Sequence, residues 1–267
     1  MITISIDPIL AHFGPFMIRW YGIIIVAVVL IGLYVTYVEA DRRGLPTANL
    51  VSLAMYSLIA GLVGARLAHV IDRFDYYAAH PQAIIAVQEG GLAVWGGFAG
   101  GFIFALAYCY FKRISFLKLA DSAAPALLLG AGLGRFGCLI NGDAWGGPTG
   151  GNWGLVYTNA HAFLPANLIG VPTQPVPLYD MAWNLASFGI LWALRKKIKQ
   201  DGVIFAAFVI VYSIGRIIVT FWRQNPAFLF GLQEAQVIGL AGLIVAVPAL
   251  TFLLVRNSTS REVVPQS

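Results

Sequence analysis

Seven apolar stretches, each about 20 residues long, constrain the fold of this chain more than any other feature of its sequence. Charged residues make up 11% of its 267 residues and hydrophobic ones 59%, whereas soluble domains contain about 25% charged residues. A soluble protein of this composition would lack the polar surface that covers a core. We therefore predict an all-α integral membrane protein with about seven transmembrane helices, at 16–38, 48–70, 92–111, 119–140, 177–194, 203–221 and 232–255.

The loops that follow the odd-numbered spans are basic, which predicts how the chain is oriented in a membrane. These loops contain Arg42, Arg43, Lys112, Arg113, Lys118, Arg195, Lys196, Lys197, Lys199, Arg256 and Arg261. Because cytoplasmic loops carry an excess of lysine and arginine, we expect the N-terminus outside and the C-terminus in the cytoplasm. The same asymmetry accounts for the formal net charge of +5, so no nucleic-acid partner is implied. The sequence does not indicate an oligomeric state.

The two cysteines, Cys109 and Cys138, are expected near opposite membrane faces. Those faces lie about 30 Å apart, a distance that a disulfide cannot bridge. Two isolated cysteines also make no metal site. The sequence therefore predicts no disulfide, no metal and no cofactor.

The longest segment between spans, 141–176, is rich in glycine and proline and holds almost no charge. Connecting loops longer than about 12–15 residues are usually functional or disordered, and the aromatic residues Trp145, Trp153, Tyr157 and Phe163 argue against disorder. We predict a small extracytoplasmic cap, inserted between spans four and five of a single polytopic membrane domain, 1–267.

Three arginines fall deep inside predicted spans, where an unpaired guanidinium is costly. They are Arg66, Arg135 and Arg216, and the acids that could pair with them are Asp72, Asp121, Asp143 and Asp180. This surplus of positive charge predicts an anionic ligand, because a guanidinium binds phosphate through two parallel hydrogen bonds. In the alternative interpretation these arginines bind backbone carbonyls and neighbouring acids. Arg19 and Arg73 can both extend to the outer interface.

The stretch GAGLGRFGCLINGDAWGG, at 130–147, places Arg135 among glycines. Glycines remove side chains from the helix surface, so that another backbone or a lipid headgroup can approach the guanidinium closely. Elsewhere, Gly96 with Gly100 and Gly97 with Gly101 are spaced four apart, which is typical of helices that pack closely in lipid. We expect a phospholipid headgroup to reach Arg135 sideways from the outer leaflet.

These residues resemble the prolipoprotein diacylglyceryl transferases, a family of bacterial enzymes with seven spans and an outer N-terminus. The signature of the family reads Gly-Arg-x-Gly-Asn-Phe-x-Asn-x-Glu-x-x-Gly, and the chain has GRFGCLINGDAWG at 134–146. The likeness extends over most of the chain, through RWYG at 19–22, GAR at 64–66, GGLAVWGG at 90–97, PLYD at 177–180 and YSIGRIIVTFWRQNP at 212–226.

The resemblance implies lipid transfer in the bacterial cytoplasmic (inner) membrane. The diacylglyceryl group of phosphatidylglycerol would move to the lipobox cysteine of a prolipoprotein signal peptide, forming a thioether and releasing glycerol phosphate. The substrate supplies the nucleophile, so the resemblance implies neither a catalytic cysteine nor a cofactor. The two partners implied are phosphatidylglycerol and the prolipoprotein.

The predicted site follows from the matching positions. Catalytic roles fall on Arg216, Tyr21 and Asp143, the last of which takes the place of the signature's glutamate. Substrate binding falls on Arg135, which matches the phosphatidylglycerol-binding arginine of the family, together with Arg66, Asn141 and Tyr212.

The chain departs from the family pattern at several positions. Trp95 and Gln174 stand where the family usually has histidine, Cys138 replaces asparagine, and Thr220 replaces glutamate. A thiol with a pKa of about 8.5 is already a few per cent ionised at neutral pH. We therefore expect the arginines to supply most of the catalysis, with Asp143, Tyr21 or water taking the proton and Trp95 shaping the lipid pocket.

Two other classes of function compete with this interpretation. One is a diverged, non-catalytic relative that binds lipid or lipoprotein. The other is a lipid or solute transporter, which is disfavoured because no internal repeat is visible. A retinal receptor is excluded, since no lysine follows Lys199 and the last span cannot form a Schiff base.

Overall fold

The computed structural model describes residues 1–14, 16–86 and 91–262, and most of these are helical. The helices are α1 (Trp20–Arg42), α2 (Leu50–Asp72), α3 (Phe74–Ala79), α4 (Val94–Phe111), α5 (Phe116–Asn141), α6 (Val176–Leu194), α7 (Val203–Thr220) and α8 (Glu234–Glu262). Short 3-10 turns occur at Thr47–Asn49, Pro81–Ile85 and Ala166–Leu168. A helix therefore occupies each stretch that the sequence predicts as a span.

Within the described residues, five helical segments are long and apolar enough to cross a membrane. They are Trp20–Arg42, Thr47–Asp72, Phe116–Asn141, Val203–Thr220 and Glu234–Arg256. The membrane character of the chain is thereby confirmed. The count of seven spans and the orientation of the termini stay predictions.

The mostly helical structure is consistent with the predicted all-α membrane protein, and a few short strands accompany the helices. The strands are β1 (Ile2–Ile4), β2 (Ile9–Phe13), β3 (Phe16–Arg19), β4 (Leu155–Tyr157), β5 (Ala227–Leu229) and β6 (Leu232–Gln233). β1 pairs with β4 in parallel, while β2–β3 and β5–β6 are antiparallel hairpins. The first span was predicted to begin at residue 16, but α1 begins at Trp20. Hydropathy alone cannot distinguish a short apolar strand from the start of a helix.

The chain forms two compact units, 37–119 and the remainder. In the smaller unit, α2 and α4 pack through glycine. A Cβ atom added to Gly64 would lie 2.4 Å from the carbonyl oxygen of Gly96, and one added to Gly100 would lie 2.5 Å from that of Ala60. The interpretation of this glycine spacing as close helix packing is confirmed for Gly96 and Gly100.

In the larger unit, α6 and α7 pack closely beside Arg216. The Nε1 atom of Trp183 donates a hydrogen bond of 2.9 Å to the carbonyl of Val211. A Cβ atom at Gly215 would lie 2.2 Å from the same Nε1 atom. A larger residue at 215 would therefore displace Trp183 or shift the α7 backbone that carries Arg216.

Asp121, which the sequence offers as a partner for a buried arginine, has another role. Its carboxylate accepts hydrogen bonds from the backbone N–H groups of Gly202 (2.9 Å) and Phe205 (2.8 Å). These groups lie at the start of α7, where the first N–H groups of a helix lack partners inside the helix. Asp121 thus satisfies the N-terminus of α7.

The segment 141–176 folds around an apolar core. Leu155, Tyr157, Ala162, Leu164 and Leu168 form this core, and Ile4, Leu139, Trp145, Ile169 and Leu178 pack against it. The N-terminal strand β1 completes the fold by pairing Ile2 with Leu155 and Ile4 with Tyr157, which the sequence did not predict. The extracytoplasmic location of this segment stays a prediction.

Candidate active site

Two half-buried arginines share one buried carboxylate in the larger unit. The Oδ2 atom of Asp180 lies 2.6 Å from Nη2 of Arg135 and 3.1 Å from Nη1 of Arg216. Its Oδ1 atom accepts a 2.8 Å hydrogen bond from the amide of Asn184, one turn further along α6. The side chain of Asp180 is 4% exposed, and those of the two arginines are 19% and 18% exposed. Three helices, α5, α6 and α7, therefore meet at one buried acid.

The glycines around Arg135 bring neighbouring parts of the chain close to α5. A Cβ atom at Gly132 would lie 2.8 Å from Cδ2 of Leu185, and one at Gly137 would lie 2.9 Å from Cδ2 of Tyr21. The sequence suggested that these glycines admit another backbone or a lipid headgroup. At these two positions another part of the protein approaches, side chain first and backbone close behind: the Leu185 nitrogen would lie 3.4 Å from a Cβ atom at Gly132, and the Tyr21 Cα 3.6 Å from one at Gly137.

Not every N–H group of Arg135 has a hydrogen-bond acceptor in the described part of the chain. Its Nη1 atom donates to Sγ of Cys138 at 3.4 Å, and Tyr212 lies within electrostatic range of the guanidinium. Its Nε atom is buried and has no hydrogen-bond partner among the described residues. A buried donor without an acceptor costs free energy, so this N–H group is suited to an acceptor that a ligand would bring.

Arg223 adds a third guanidinium. Burial and the nearby charges of Arg216 and Arg135 lower the pKa of Arg223 from its ordinary value. Its Nε atom is also buried without a partner in the described part of the chain. The turn after α7 is held by Gln233, whose amide donates to the carbonyls of Thr220 (3.2 Å) and Arg223 (3.1 Å).

A second chain of polar contacts runs through the end of α5. Nη1 of Arg19 donates to Oδ1 of Asn141 at 3.2 Å, and the amide of Asn141 donates to Oδ2 of Asp143 at 3.1 Å. The guanidinium of Arg19 also lies 4.1 Å from the centre of the Phe163 ring. Arg19 is thus tied to the predicted site residues, although the sequence suggested only that it extends to the interface.

Tyr21 interacts with residues of both groups, the arginine cluster around Asp180 and the polar contacts from Arg19 to Asp143. Its ring packs on Gly137, and its hydroxyl interacts electrostatically with Cys138, Asp143 and Arg135. Six of the seven predicted site residues therefore lie in the larger unit: Tyr21, Arg135, Asn141, Asp143, Tyr212 and Arg216.

The seventh, Arg66, belongs to the smaller unit. Its Nε atom donates to the carbonyl of Ile84 (2.8 Å) and its Nη1 atom to that of Gly91 (2.8 Å), while Nη2 reaches the carbonyls of Ala83 and Ala86. These contacts match the alternative in which a buried arginine binds backbone carbonyls. The role of Arg66 in substrate binding stays a prediction.

Trp95, the main departure from the family pattern, also lies in the smaller unit. It is near the start of α4, is 52% exposed, and packs on Phe98 with ring centres 6.0 Å apart. Gly90 of the same motif lies outside the described residues. The hypothesis that Trp95 shapes a lipid pocket stays a prediction.

Sequence reasoning missed the central position of Asp180. The available signal was an acid inside an apolar stretch, which marks a functional position by default. The sequence could not indicate which of four acids the arginines would select, because that depends on how α5, α6 and α7 pack.

Fold and site together define a helical membrane protein with a cluster of half-buried guanidiniums, a type of site suited to an anionic, phosphate-bearing ligand. Residues 8–252 match the family model described as prolipoprotein diacylglyceryl transferase. The chain belongs to this family.

Curated relatives of the chain are named phosphatidylglycerol–prolipoprotein diacylglyceryl transferase. One from Bacillus cytotoxicus is 37% identical over 259 residues, covering 96% of this chain and 94% of the relative. One from Lysinibacillus sphaericus is 34% identical over 261 residues, covering 94% of both chains. One from a Nostoc species is 34% identical over 270 residues, covering 98% of this chain and 95% of the relative.

Proposed function

We propose that this protein transfers the diacylglyceryl group of phosphatidylglycerol to the lipobox cysteine of prolipoproteins. The sulfur of the substrate cysteine attacks the carbon of the diacylglyceryl group that bears the phosphate ester. A C–S bond forms, the C–O bond to phosphate breaks, and the oxygen leaves with the electron pair as glycerol phosphate. The names of the relatives support this reaction, and the observation that carries it is the pairing of Arg135 and Arg216 on Asp180.

The geometry of the two arginines supports their proposed roles. Asp180 holds one nitrogen of Arg135 and one of Arg216, leaving other N–H groups of each guanidinium able to bind phosphate oxygens. Arg135 binds the phosphate in the ground state, and Arg216 stabilises the charge that develops on the leaving oxygen. In a site shielded from water, these charges act more strongly than they would in bulk solvent.

The thiol of the substrate must lose its proton during the attack. Nearby guanidiniums favour the thiolate, and the proton goes to Asp143, Tyr21 or water. Asn141 holds the Asp143 carboxylate in place. Tyr212 lies within electrostatic range of Arg135 and helps bind the headgroup. Arg66 is a further proposed lipid contact.

We also propose that the protein is a multi-pass protein of the bacterial inner membrane with seven spans. The N-terminus and the cap at 141–176 lie outside, and the C-terminus lies in the cytoplasm. In a variant without native cysteines, Asn159→Cys should react with an impermeant thiol reagent in intact spheroplasts, whereas Lys196→Cys should not. The reverse pattern would contradict both the orientation and an outer-leaflet site.

The reaction is tested with the purified full chain, vesicles of labelled phosphatidylglycerol and a lipobox peptide. We expect release of glycerol phosphate together with a peptide that carries a thioether-linked diacylglyceryl group. Lipid movement without glycerol phosphate would favour a transporter, and lipid binding without either product would favour a non-catalytic relative. Complementation of a transferase-depleted bacterium is the matching test in cells.

A further inference from the structure

Four buried oxygen atoms near the arginines have no hydrogen-bond partner within the described residues: Oδ1 of Asn184, Oε1 of Gln233, Oδ1 of Asp143 and the phenolic oxygen of Tyr157. Asn184 lies beside Asp180 on α6 and Gln233 lies in β6, whereas Asp143 and Tyr157 both belong to the segment 141–176. Native structures rarely leave such atoms unsatisfied, and each one calls for a partner of some kind. Tyr157 is 1% exposed, so its hydroxyl lies inside the folded segment rather than at its surface.

The backbone brings Asp143 and Tyr157 near each other. α5 ends at Asn141, and Gly142 follows with φ +74°, a left-handed conformation that turns the chain toward Asp143. A Cβ atom at Gly142 would lie 3.5 Å from Cε1 of Tyr157. Tyr157 itself is held in β4, between β1 and the core of the cap. Its phenol interacts electrostatically with Asp143 and Cys138.

The chemistry of the two atoms is complementary. The other oxygen of Asp143 already accepts the amide of Asn141, so Oδ1 is an oriented acceptor. Burial and the nearby Asp143 charge raise the pKa of Tyr157 above its ordinary value, so its O–H group stays protonated and can donate. A ligand hydroxyl suits this pair, because it can donate to Asp143 and accept from Tyr157.

The surrounding charge restricts the kind of lipid that would bring this hydroxyl. Four guanidiniums, on Arg19, Arg135, Arg216 and Arg223, accompany the two carboxylates of Asp143 and Asp180. The excess positive charge favours a phosphodiester and opposes an ammonium headgroup. An anionic lipid whose headgroup carries hydroxyls meets both requirements.

We infer that Asp143 Oδ1 and the Tyr157 hydroxyl form a subsite for a headgroup hydroxyl of the phospholipid donor. This inference rests on the proposed function, because the lipid phosphate must first bind the arginines. The subsite distinguishes a polyol headgroup from an alkyl headgroup of equal charge. Tyr157, which lies in the cap, is thereby assigned to substrate recognition.

The test compares two lipids of equal charge in the transfer assay, phosphatidylglycerol and phosphatidylpropanol, which lacks headgroup hydroxyls. For the wild type we expect a kcat/KM for phosphatidylglycerol at least tenfold higher, roughly the effect of one or two hydrogen bonds. Tyr157→Phe should lower this preference by about fivefold to tenfold and leave the rate with phosphatidylpropanol unchanged. Tyr179→Phe is the matched control, because the Tyr179 hydroxyl already donates to Gln174 at 3.3 Å.

An unchanged preference in Tyr157→Phe, with both lipids affected equally, would overturn the subsite and indicate a structural hydroxyl or a bridging water. If the wild type releases no glycerol phosphate, the proposed function fails, and the subsite is then tested by binding. Each lipid should raise the unfolding temperature of the full chain. The extra rise with phosphatidylglycerol should disappear in Tyr157→Phe, and its persistence would overturn the subsite independently of catalysis.

Discussion

Arg66, which is buried, and Arg135, which is half-buried, both lie in apolar helices, but the two units of the protein satisfy them differently. In the smaller unit, Arg66 donates to at least four backbone carbonyls between residues 83 and 91. In the larger unit, Arg135 shares one carboxylate with Arg216 and keeps a buried Nε without a partner in the described chain. One arginine is surrounded by acceptors, and the other has more donors than acceptors.

This difference teaches how a buried arginine should be interpreted. Charge inside a membrane span marks a functional position by default, and by that rule both arginines predict a ligand. The two arginines differ in how many hydrogen-bond acceptors surround each guanidinium. A guanidinium supplied with carbonyls holds a loop in place, whereas one with spare donors beside two further guanidiniums is suited to bind an anion.

The largest effect is expected at Arg135. Arg135→Ala should lower transfer by about 100-fold or more while the protein remains folded and inserted, because the phosphate loses its charged donors. Arg135→Lys should also lose most of the activity, since an ammonium cannot form two parallel hydrogen bonds. Glycerol phosphate release measures both variants, with Lys196→Ala as control. Near-normal transfer in Arg135→Ala would show that this arginine is structural.

Asp180→Asn should produce the next largest effect. The substitution preserves shape but removes the charge that both arginines share, and breaking a buried ion pair costs about 3–5 kcal/mol. We expect a lower unfolding temperature in detergent and reduced kcat, because the guanidiniums lose their common anchor. Asn184→Ala is the control that removes the hydrogen bond to Oδ1 but keeps the charge. Equal stability of Asp180→Asn and wild type would contradict the central position of this acid.

Arg66→Ala tests the comparison directly. If Arg66 mainly holds the backbone at 83–86 and at Gly91, the variant should lose about 1–3 kcal/mol of stability because these carbonyls lose a donor. Its KM for phosphatidylglycerol should then change by less than about threefold (below about 0.7 kcal/mol). Kinetics at several lipid concentrations, corrected for the folded fraction, separate the two quantities. A KM raised tenfold with unchanged stability would instead support lipid binding by Arg66. The arginines of both units would then bind the lipid.

The smallest effect concerns an exposed contact between the N-terminal segment and the cap. The backbone N–H of Ile9 and the side chain of His161, 3.0 Å from Oδ2, lower the pKa of Asp7. A carboxyl with a lowered pKa stabilises the folded state above its unfolded pKa, and this contribution is lost as the pH falls through the folded pKa. The wild type should therefore lose a little stability below about pH 4, and Asp7→Asn should lose less. Unfolding curves recorded between about pH 3 and 7, the range in which carboxyl groups titrate, measure the effect.

The positions of the helices could be predicted from the sequence, because hydropathy reports apolar length directly. The strands could not. Ile2–Ile4 pair with residues more than 150 positions away, a contact that no local pattern specifies. Strand β3 was included in the first predicted span for a related reason, since its apolar residues raise the same hydropathy window.

The candidate site was predictable in its residue types but not in its connections. Burial of Arg135 and Arg216 could be expected from their positions in apolar stretches. Their selection of Asp180, rather than Asp121, depends on which acid the packing leaves to cap α7. The unpartnered hydroxyl of Tyr157 was not predictable at all, because it results from β4 placing an otherwise apolar ring against Gly142.

The pairing of β1 with β4 has a consequence for the timing of biosynthesis. Leu155–Tyr157 are made about 150 residues after their partners Ile2–Ile4, roughly 8–30 s later at ordinary rates of translation. During this interval helices α1 to α5 are synthesised. Ile2–Ile4 must therefore remain without their strand partner until all five helices have been made, and the cap is completed only after them.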